Sequence, residues 1–274
     1  MWIYCLIFFS LLILLYLLAI MPKLSGRHDL RPWQSKYYAH RGLHQDPDTI
    51  PENSMAAFKL AVAHNYGIEM DIQLTKDNVP VVFHDFTLKR VCGVNRKVKD
   101  LTFNELQELR LHGSKEKIPS FQSVLDMVQG KVPLILEFKV ELHDTSVCNV
   151  TAPMLKNYNG LYCIESFNPL VLLWYKRHNP KIMRGQLASN LIKDKEVGSF
   201  SMYFVLQNLL LNFITKPDFI SYNFVHRNML SFTLCRKLYR IPTFAWTIKS
   251  QENLEDSKSC FDFFIFDQFI PKEQ

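Results

Sequence analysis

Positions 2–21 are apolar almost throughout and carry no charge, from Trp2 to Met21. A helix rising about 1.5 Å per residue over such a stretch spans roughly 30 Å, the thickness of a bilayer's hydrocarbon. No Lys or Arg precedes it, and Ala19-Ile20-Met21-Pro22 is a poor cleavage site. An uncleaved transmembrane anchor over residues 1–21 is therefore expected rather than a signal peptide. Residues 22–36, with Pro22, Gly26 and Pro32, read as a short tether. Lys23, Arg27, Arg31 and Lys36 follow the anchor and place the body on the cytoplasmic side by the positive-inside tendency.

From residue 37 the pattern becomes an alternation of short extended runs and amphipathic stretches. Tyr37-Tyr38-Ala39 is a β-prone run closing at His40. Pro51-Glu52-Asn53-Ser54 opens a helix with Asn53 or Ser54 as N-cap and Met55, Phe58 and Val62 on one face. Ile68 to Leu74 alternates polar and apolar residues as a strand does, Asp77-Asn78 turns, and Val79–Phe83 returns to His84. Helical patterns lie near 102–110 and 120–129, and the next strand is 133–140. Strands near 161–166, 181–188, 218–222, 241–247 and 261–266 then alternate with helices near 168–178, 200–214, 226–239 and 250–258. The main strands number eight in βα order. That predicts an α/β fold, a (β/α)₈ TIM barrel over residues 37–274, behind an N-terminal transmembrane helix. A doubly wound sheet shares the local pattern, but no GxGxxG turn follows the first strand.

Composition narrows the possibilities. Of the 274 residues, the body beyond the apolar segment is long enough to bury its own core without staples. The net charge of +6 is spread along the chain, with no basic run suited to a nucleic-acid backbone, so no nucleic-acid partner is expected. The mild excess suits either an anionic substrate or an anionic membrane surface. The six cysteines, at 5, 92, 148, 163, 235 and 260, form neither CxxC pairs nor zinc spacings and read as reduced thiols. Asn149-Val150-Thr151 matches a glycosylation sequon and reads as a loop or helix start.

Four polar clusters close extended segments, where a barrel keeps its catalytic groups. They are His40-Arg41-Gly42, Glu69-x-Asp71, His84-Asp85 and Glu137-x-Lys139. Singly, the first is an ordinary loop and the second a solvated strand face. Glu137 and Lys139, within Leu134-Ile-Leu-Glu-Phe-Lys-Val140, are harder to dismiss. A buried carboxylate there requires either a metal or a salt bridge.

In this order the clusters are recognisable. With Pro51-Glu52-Asn53-Ser54, Ile118-Pro119-Ser120 and Ala245-Trp246-Thr247, the chain resembles the glycerophosphodiester phosphodiesterase family across its whole body. The resemblance implies metal-dependent hydrolysis of glycerophosphodiesters to glycerol 3-phosphate and an alcohol. It implies His40 and His84 as general acid and base, and Glu69, Asp71 and Glu137 as ligands of one divalent cation, Mg²⁺ or Ca²⁺. Arg41 and Lys139 would bind phosphate oxygens, and Glu52 would support the site from behind. Trp246 would pack on the glycerol or serve as a core aromatic. The chain departs from the family pattern at Ser54, at Ile248 after Trp246-Thr247, and in the last strand's Phe266-Asp267 ending.

Two other functions fit the same scaffold: lysophospholipase D-like cleavage of lysophospholipids, and a non-catalytic lipid-associated barrel. The apolar segment 200–214 bears on the choice, being either a helix of the barrel's outer layer or one resting in the headgroup region.

Overall fold

A computed structural model describes residues 1–34, 37–141, 143–194 and 199–272. The apolar N-terminus forms helix α1 (Trp2–Ala19). Beyond it the order is β1 (Tyr37–Ala39), α2 (Met55–Ala63), β2 (Gly67–Leu74), β3 (Pro80–Val82), α3 (Lys89–Cys92), α4 (Phe103–Leu106) and α5 (Phe121–Val128). Then come β4 (Leu134–Phe138), α6 (Ser146–Lys156), β5 (Tyr162–Ser166), α7 (Pro169–His178), β6 (Arg184–Ala188), α8 (Phe200–Gln207) and α9 (Asn212–Thr215). The chain closes with β7 (Phe219–Asn223), α10 (Leu230–Lys237), β8 (Thr243–Ile248), α11 (Gln251–Lys258) and β9 (Phe263–Phe266).

Among the described residues, eight parallel strands run β1-β2-β4-β5-β6-β7-β8-β9 and close where β9 pairs with β1. This is the predicted (β/α)₈ barrel. The returning segment 79–83 is β3, which pairs antiparallel with β2 as an excursion from the rim.

Strand parity divides the core in two. Ile68, Met70 and Ile72 of β2, with Leu134, Leu136 and Phe138 of β4, point outward into the layer beneath the helices. Their neighbours point inward. At the lower end the interior is apolar, filled by Tyr38, Ile135, Cys163, Phe219, Phe244 and Phe263, with Trp33 buried against them. Phe219 fits only because β6 offers Gly185, where a Cβ would come within 2.0 Å of its ring. One step further along β4 and β5, Glu137 and Glu165 take the inward positions, so the interior turns acidic toward the strands' C-terminal ends.

Several expectations need correction. The segment 200–214 is not one helix: it breaks between α8 and α9, where Leu209 takes a left-handed φ of 57°. The break turns Asn212 inward to donate to the Ile20 carbonyl at 3.1 Å. Of 102–110, only α4 is helical, started by a Thr102–Glu105 capping box, and 226–239 shortens to α10. The sequon lies inside α6, where Thr151 is buried and bonds the Val147 carbonyl. The six cysteines are free, as their spacing led one to expect. Lys36, counted among the flanking charges, lies outside the described residues.

Candidate active site

The carboxylates stand in a row fixed by strand register: Asp71 on β2 lies opposite Glu137 on β4, and Glu137 opposite Glu165 on β5. Glu69, one inward position below Asp71, completes the set. Ligand oxygens of Glu69, Asp71 and Glu137 all lie within 4.8 Å of one another, and all three residues are buried. Lys139 Nζ ion-pairs with Glu137 at 2.7 Å and Asp71 at 3.2 Å. Glu137 therefore has the salt-bridge partner its sequence context required, within the cluster suited to a cation.

The loop after β1 folds over this row. Arg41 adopts φ 56° and donates its backbone N–H to Glu69 at 3.0 Å, while Gly42 turns the chain at φ +82° against Ala57 and Phe58. No larger residue fits at 42: a Cβ there would stand 2.9 Å from both side chains. The Arg41 guanidinium donates to Glu52 at 2.9 Å. Glu52 also accepts from Arg90, which clamps Asp85, and Asp85 accepts from His84 Nδ1 at 2.6 Å. A continuous chain of charge thus runs from Arg41 to His84.

Burial and repulsion set the protonation of the row. Burial, reinforced by Asp71, Glu137 and Glu165, pushes the Glu69 carboxyl well above the usual range. Burial and then Glu137 raise Glu165 to about 8. Burial also raises Glu137, although Lys139 works against it. Asp71 goes the other way: Lys139, His84 and Arg41, with the Asn53 donor, outweigh its burial and hold it well below the carboxylate range. Burial lowers His40 to about 4, opposed by its contact with Asp267 at 3.3 Å.

Several contributors went unread in the sequence. Asn53, one of two candidate caps, is not the cap: Ser54 Oγ accepts from Ala57 N. Freed by φ 53°, Asn53 instead donates Nδ2 to Asp71 at 2.9 Å. Asp267 orients His40 and also meets His44 Nε2 at 2.7 Å. Its position at the end of the last strand was the available signal. Glu165 carried the same signal, an inward residue near a strand end. Arg90 carried none, because α3 is a short excursion whose placement depends on the whole β2–β3 hairpin. Trp246 stands apart from the charged network, edge-on to Phe167 at 5.7 Å, with its Nε1 buried and unpartnered.

The glycerophosphoryl diester phosphodiesterase family model matches residues 40–260. The chain belongs to this family. As a family member it is a phosphoric diester hydrolase, a glycerophosphodiester phosphodiesterase by class. It is 28% identical over 230 residues to a glycerophosphodiester phosphodiesterase of Caldanaerobacter subterraneus, covering 79% of this chain and 87% of that one. It is 29% identical to the human lysophospholipase D GDPD1 over 53% of this chain and 48% of that protein. In fold it resembles a phosphodiesterase of Oleispira antarctica, solved in complex with the product sn-glycerol-3-phosphate, with a TM-score of 0.67 at 21% identity over 86% and 93% of the two chains.

The family's cation fits the residues present. The donors are all carboxylate oxygens, the set a hard divalent ion prefers. Asn53 Oδ1, buried, accepts no hydrogen bond, and Asp71 Oδ1 meets the Lys139 ammonium at 3.2 Å without a hydrogen bond. Among the described residues, Lys139 and Arg41 are the Lys and Arg side chains that ion-pair with this acidic set.

Proposed function

We propose that the chain hydrolyses glycerophosphodiesters to glycerol 3-phosphate and an alcohol, using one divalent cation, Mg²⁺ or Ca²⁺, held by Glu69, Asp71 and Glu137. The observation that carries this is the buried carboxylate cluster with ligand oxygens within 4.8 Å of one another. When bound, the cation neutralises charge on the phosphodiester as its P–O bond breaks. His40 and His84 move the protons: one accepts from the attacking glycerol hydroxyl, the other donates to the departing alkoxide, and water then opens the cyclic phosphate to glycerol 3-phosphate. Asp267 and Asp85 hold the Nδ1 sides of the two rings and leave Nε2 for the substrate. Arg41 and Lys139, now pinned to carboxylates, are placed to receive the non-bridging phosphate oxygens. Glu52 holds Arg41 and Arg90 in position. Trp246, with Phe167 edge-on to it, supplies an apolar wall beside the glycerol.

Residues 2–21 serve in this proposal as a membrane anchor. By length and apolarity α1 alone among the described helices is able to cross a bilayer. Ile20, at its foot, is fully buried in the main core, and Tyr16 and Leu17 pack there too, which suits an anchor better than a leader destined for removal. The cytoplasmic placement of the barrel rests on Lys23, Arg27, Arg31 and Lys36. Of these, Lys23 is bonded to Asp218 and Arg27 to the carbonyls of Tyr239 and Arg240. Protease accessibility on intact cells decides it, and cleavage from outside would reverse the orientation.

A second reading, lysophospholipase D-like cleavage, is favoured by the apolar surface of α8, where Phe200 and Phe204 stand exposed. One assay separates the two. The full chain in detergent is offered glycerophosphocholine, glycerophosphoethanolamine and lysophosphatidylcholine, with and without chelator. Chelator-sensitive turnover of the soluble diesters is expected; turnover of lysolipid alone would select the second reading. Absence of turnover on all three, with cation present, would overturn both.

A further inference from the structure

The direction in which α1 leaves the barrel has a consequence for where the mouth points. Strands of the barrel run toward the catalytic end, so α10, following β7, starts at that end with Leu230 and descends. The foot of α1 descends beside it. Tyr16 reaches Ser231 in the first turn of α10. The Ile20 carbonyl, one turn lower, accepts from Cys235 Sγ at 3.3 Å and Asn212 Nδ2 at 3.1 Å. Met21 and Lys23 then meet Lys216 and Asp218 at the entry to β7. Followed backward from Tyr16, α1 therefore rises past the start of α10 and leaves the molecule on the catalytic side.

Residues 2–15 are exposed throughout. At about 1.5 Å per residue, fourteen residues reach roughly 21 Å, short of the roughly 30 Å of hydrocarbon a spanning helix must cross. The deficit draws the barrel's shoulder to the bilayer surface. That shoulder is apolar. The Gln207 carbonyl at the end of α8 accepts from Ser231 Oγ at 3.4 Å and Tyr222 Oη at 3.3 Å, which fastens α8 at the level where α10 begins. Phe200 and Phe204 share one side of α8, with ring centroids 6.4 Å apart. They are 69% and 48% exposed, and Val225 and Leu230 on the neighbouring β7–α10 connection are each 63% exposed.

We infer that the catalytic mouth faces the bilayer that holds α1, and that α8 with the start of α10 enters its headgroup layer. The occupant of this apolar surface is the lipid leaflet itself. The inference rests on the anchor proposed above and extends it to the substrate: a single-chain phospholipid in that leaflet would present its phosphodiester to the carboxylate row without leaving the membrane. Water-soluble diesters would gain nothing.

The test uses the full chain in phosphatidylcholine vesicles. Cys5, Cys92 and Cys260 are replaced by serine, and a single NBD-labelled cysteine is placed by Phe204→Cys, Leu230→Cys, Phe213→Cys or Leu238→Cys. Phe213 lies lower on the flank, and Leu238 ends α10 at the opposite end of the barrel; both are exposed and apolar. Quenching by shallow doxyl-labelled lipids is expected at 204 and 230 and not at 213 or 238. Quenching at 213 or 238 would mean a barrel lying on its side or inverted, and overturns the inference. Protection from solvent at 204 without lipid quenching, as a protein partner would give, also overturns it. Intact mass showing loss of residues 1–21 would remove the anchor, a failure separable from correct anchoring with an unquenched shoulder; either outcome rejects the inference. Turnover of soluble glycerophosphocholine, unchanged in each variant, reports an intact site. A Phe200→Ser/Phe204→Ser double variant is expected to lose about tenfold in kcat/KM on vesicle-borne lysophosphatidylcholine alone. Equal loss on both substrates would count against the inference.

Discussion

Chelating the cation should lower the melting temperature of the wild-type chain, and Glu69→Gln should erase that response. Ligand oxygens of Glu69, Asp71 and Glu137 lie within 4.8 Å of each other. At an effective dielectric of about 20, each ionised pair at that distance repels by at least about 3.5 kcal/mol. Lys139 and Arg41 offset part of this, but Glu165 adjoins the row and leaves negative charge in excess. Burial first, and then the same imbalance, raise the Glu69 carboxyl above its usual range. A carboxyl raised on folding contributes its stability below the unfolded pKa and loses it as pH rises through the folded value. At neutral pH, without a cation, that contribution is therefore diminished. A cation present at a hundred times its Kd restores about 2.7 kcal/mol, or roughly 5–10 °C for a domain of about 250 residues. Scanning fluorimetry in detergent, with chelator and then with Mg²⁺ or Ca²⁺ restored, measures it. The Glu69→Gln variant removes one buried charge and one ligand, so it should melt above chelated wild type and ignore chelator. A wild-type melting temperature indifferent to chelator and both cations, or a variant melting below the chelated wild type, would refute the reasoning.

His40→Ala and His84→Ala should each lose at least about a hundredfold in rate while keeping the chelator-dependent shift in melting; a near-wild-type rate would remove that histidine from the mechanism. Asp267→Asn should hold KM and cut kcat about tenfold or more, because the imidazolium formed on His40 loses its carboxylate; an unchanged kcat would sink the assignment. Burial holds His40 at about 4, so the folded chain refuses a proton that the unfolded chain accepts near about 6.5. Its contribution to stability is present above that unfolded pKa and declines as pH falls toward 4. Melting temperatures of His40→Asn should accordingly fall less steeply over that window, and a parallel slope would count against the shift. Gly42→Ala combines an unfavourable positive φ with a collision against Ala57 and Phe58, and should cost about 1–3 kcal/mol in urea melts; wild-type stability would show that the turn tolerates a side chain.

The order of elements and the barrel were legible in the sequence because both depend on local periodicity. Alternation in Ile68–Leu74 and Leu134–Val140 states which side chains share a face, and a run of βα units allows few closures. The same parity put Glu69 and Asp71 on one face of their strand; the family resemblance, not parity, joined Glu137 to them. What the sequence left open is set by approaches between distant segments. Asn53 reads as a helix cap because capping is local, but its left-handed backbone gives that role to Ser54 and sends its amide to Asp71. Asp267 reaches His40 only because β9 closes on β1, a contact across 227 positions. The segment 200–214 looked continuous since it is apolar nearly all round, whereas in the structure it breaks at Leu209 and Asn212 turns inward to the foot of α1. Hydrophobic pattern thus fixed which residues face inward, whereas strand register and ring closure decided which inward residues meet. Polar contacts at barrel ends are few, directional and non-local, so their partners emerge only in the tertiary structure.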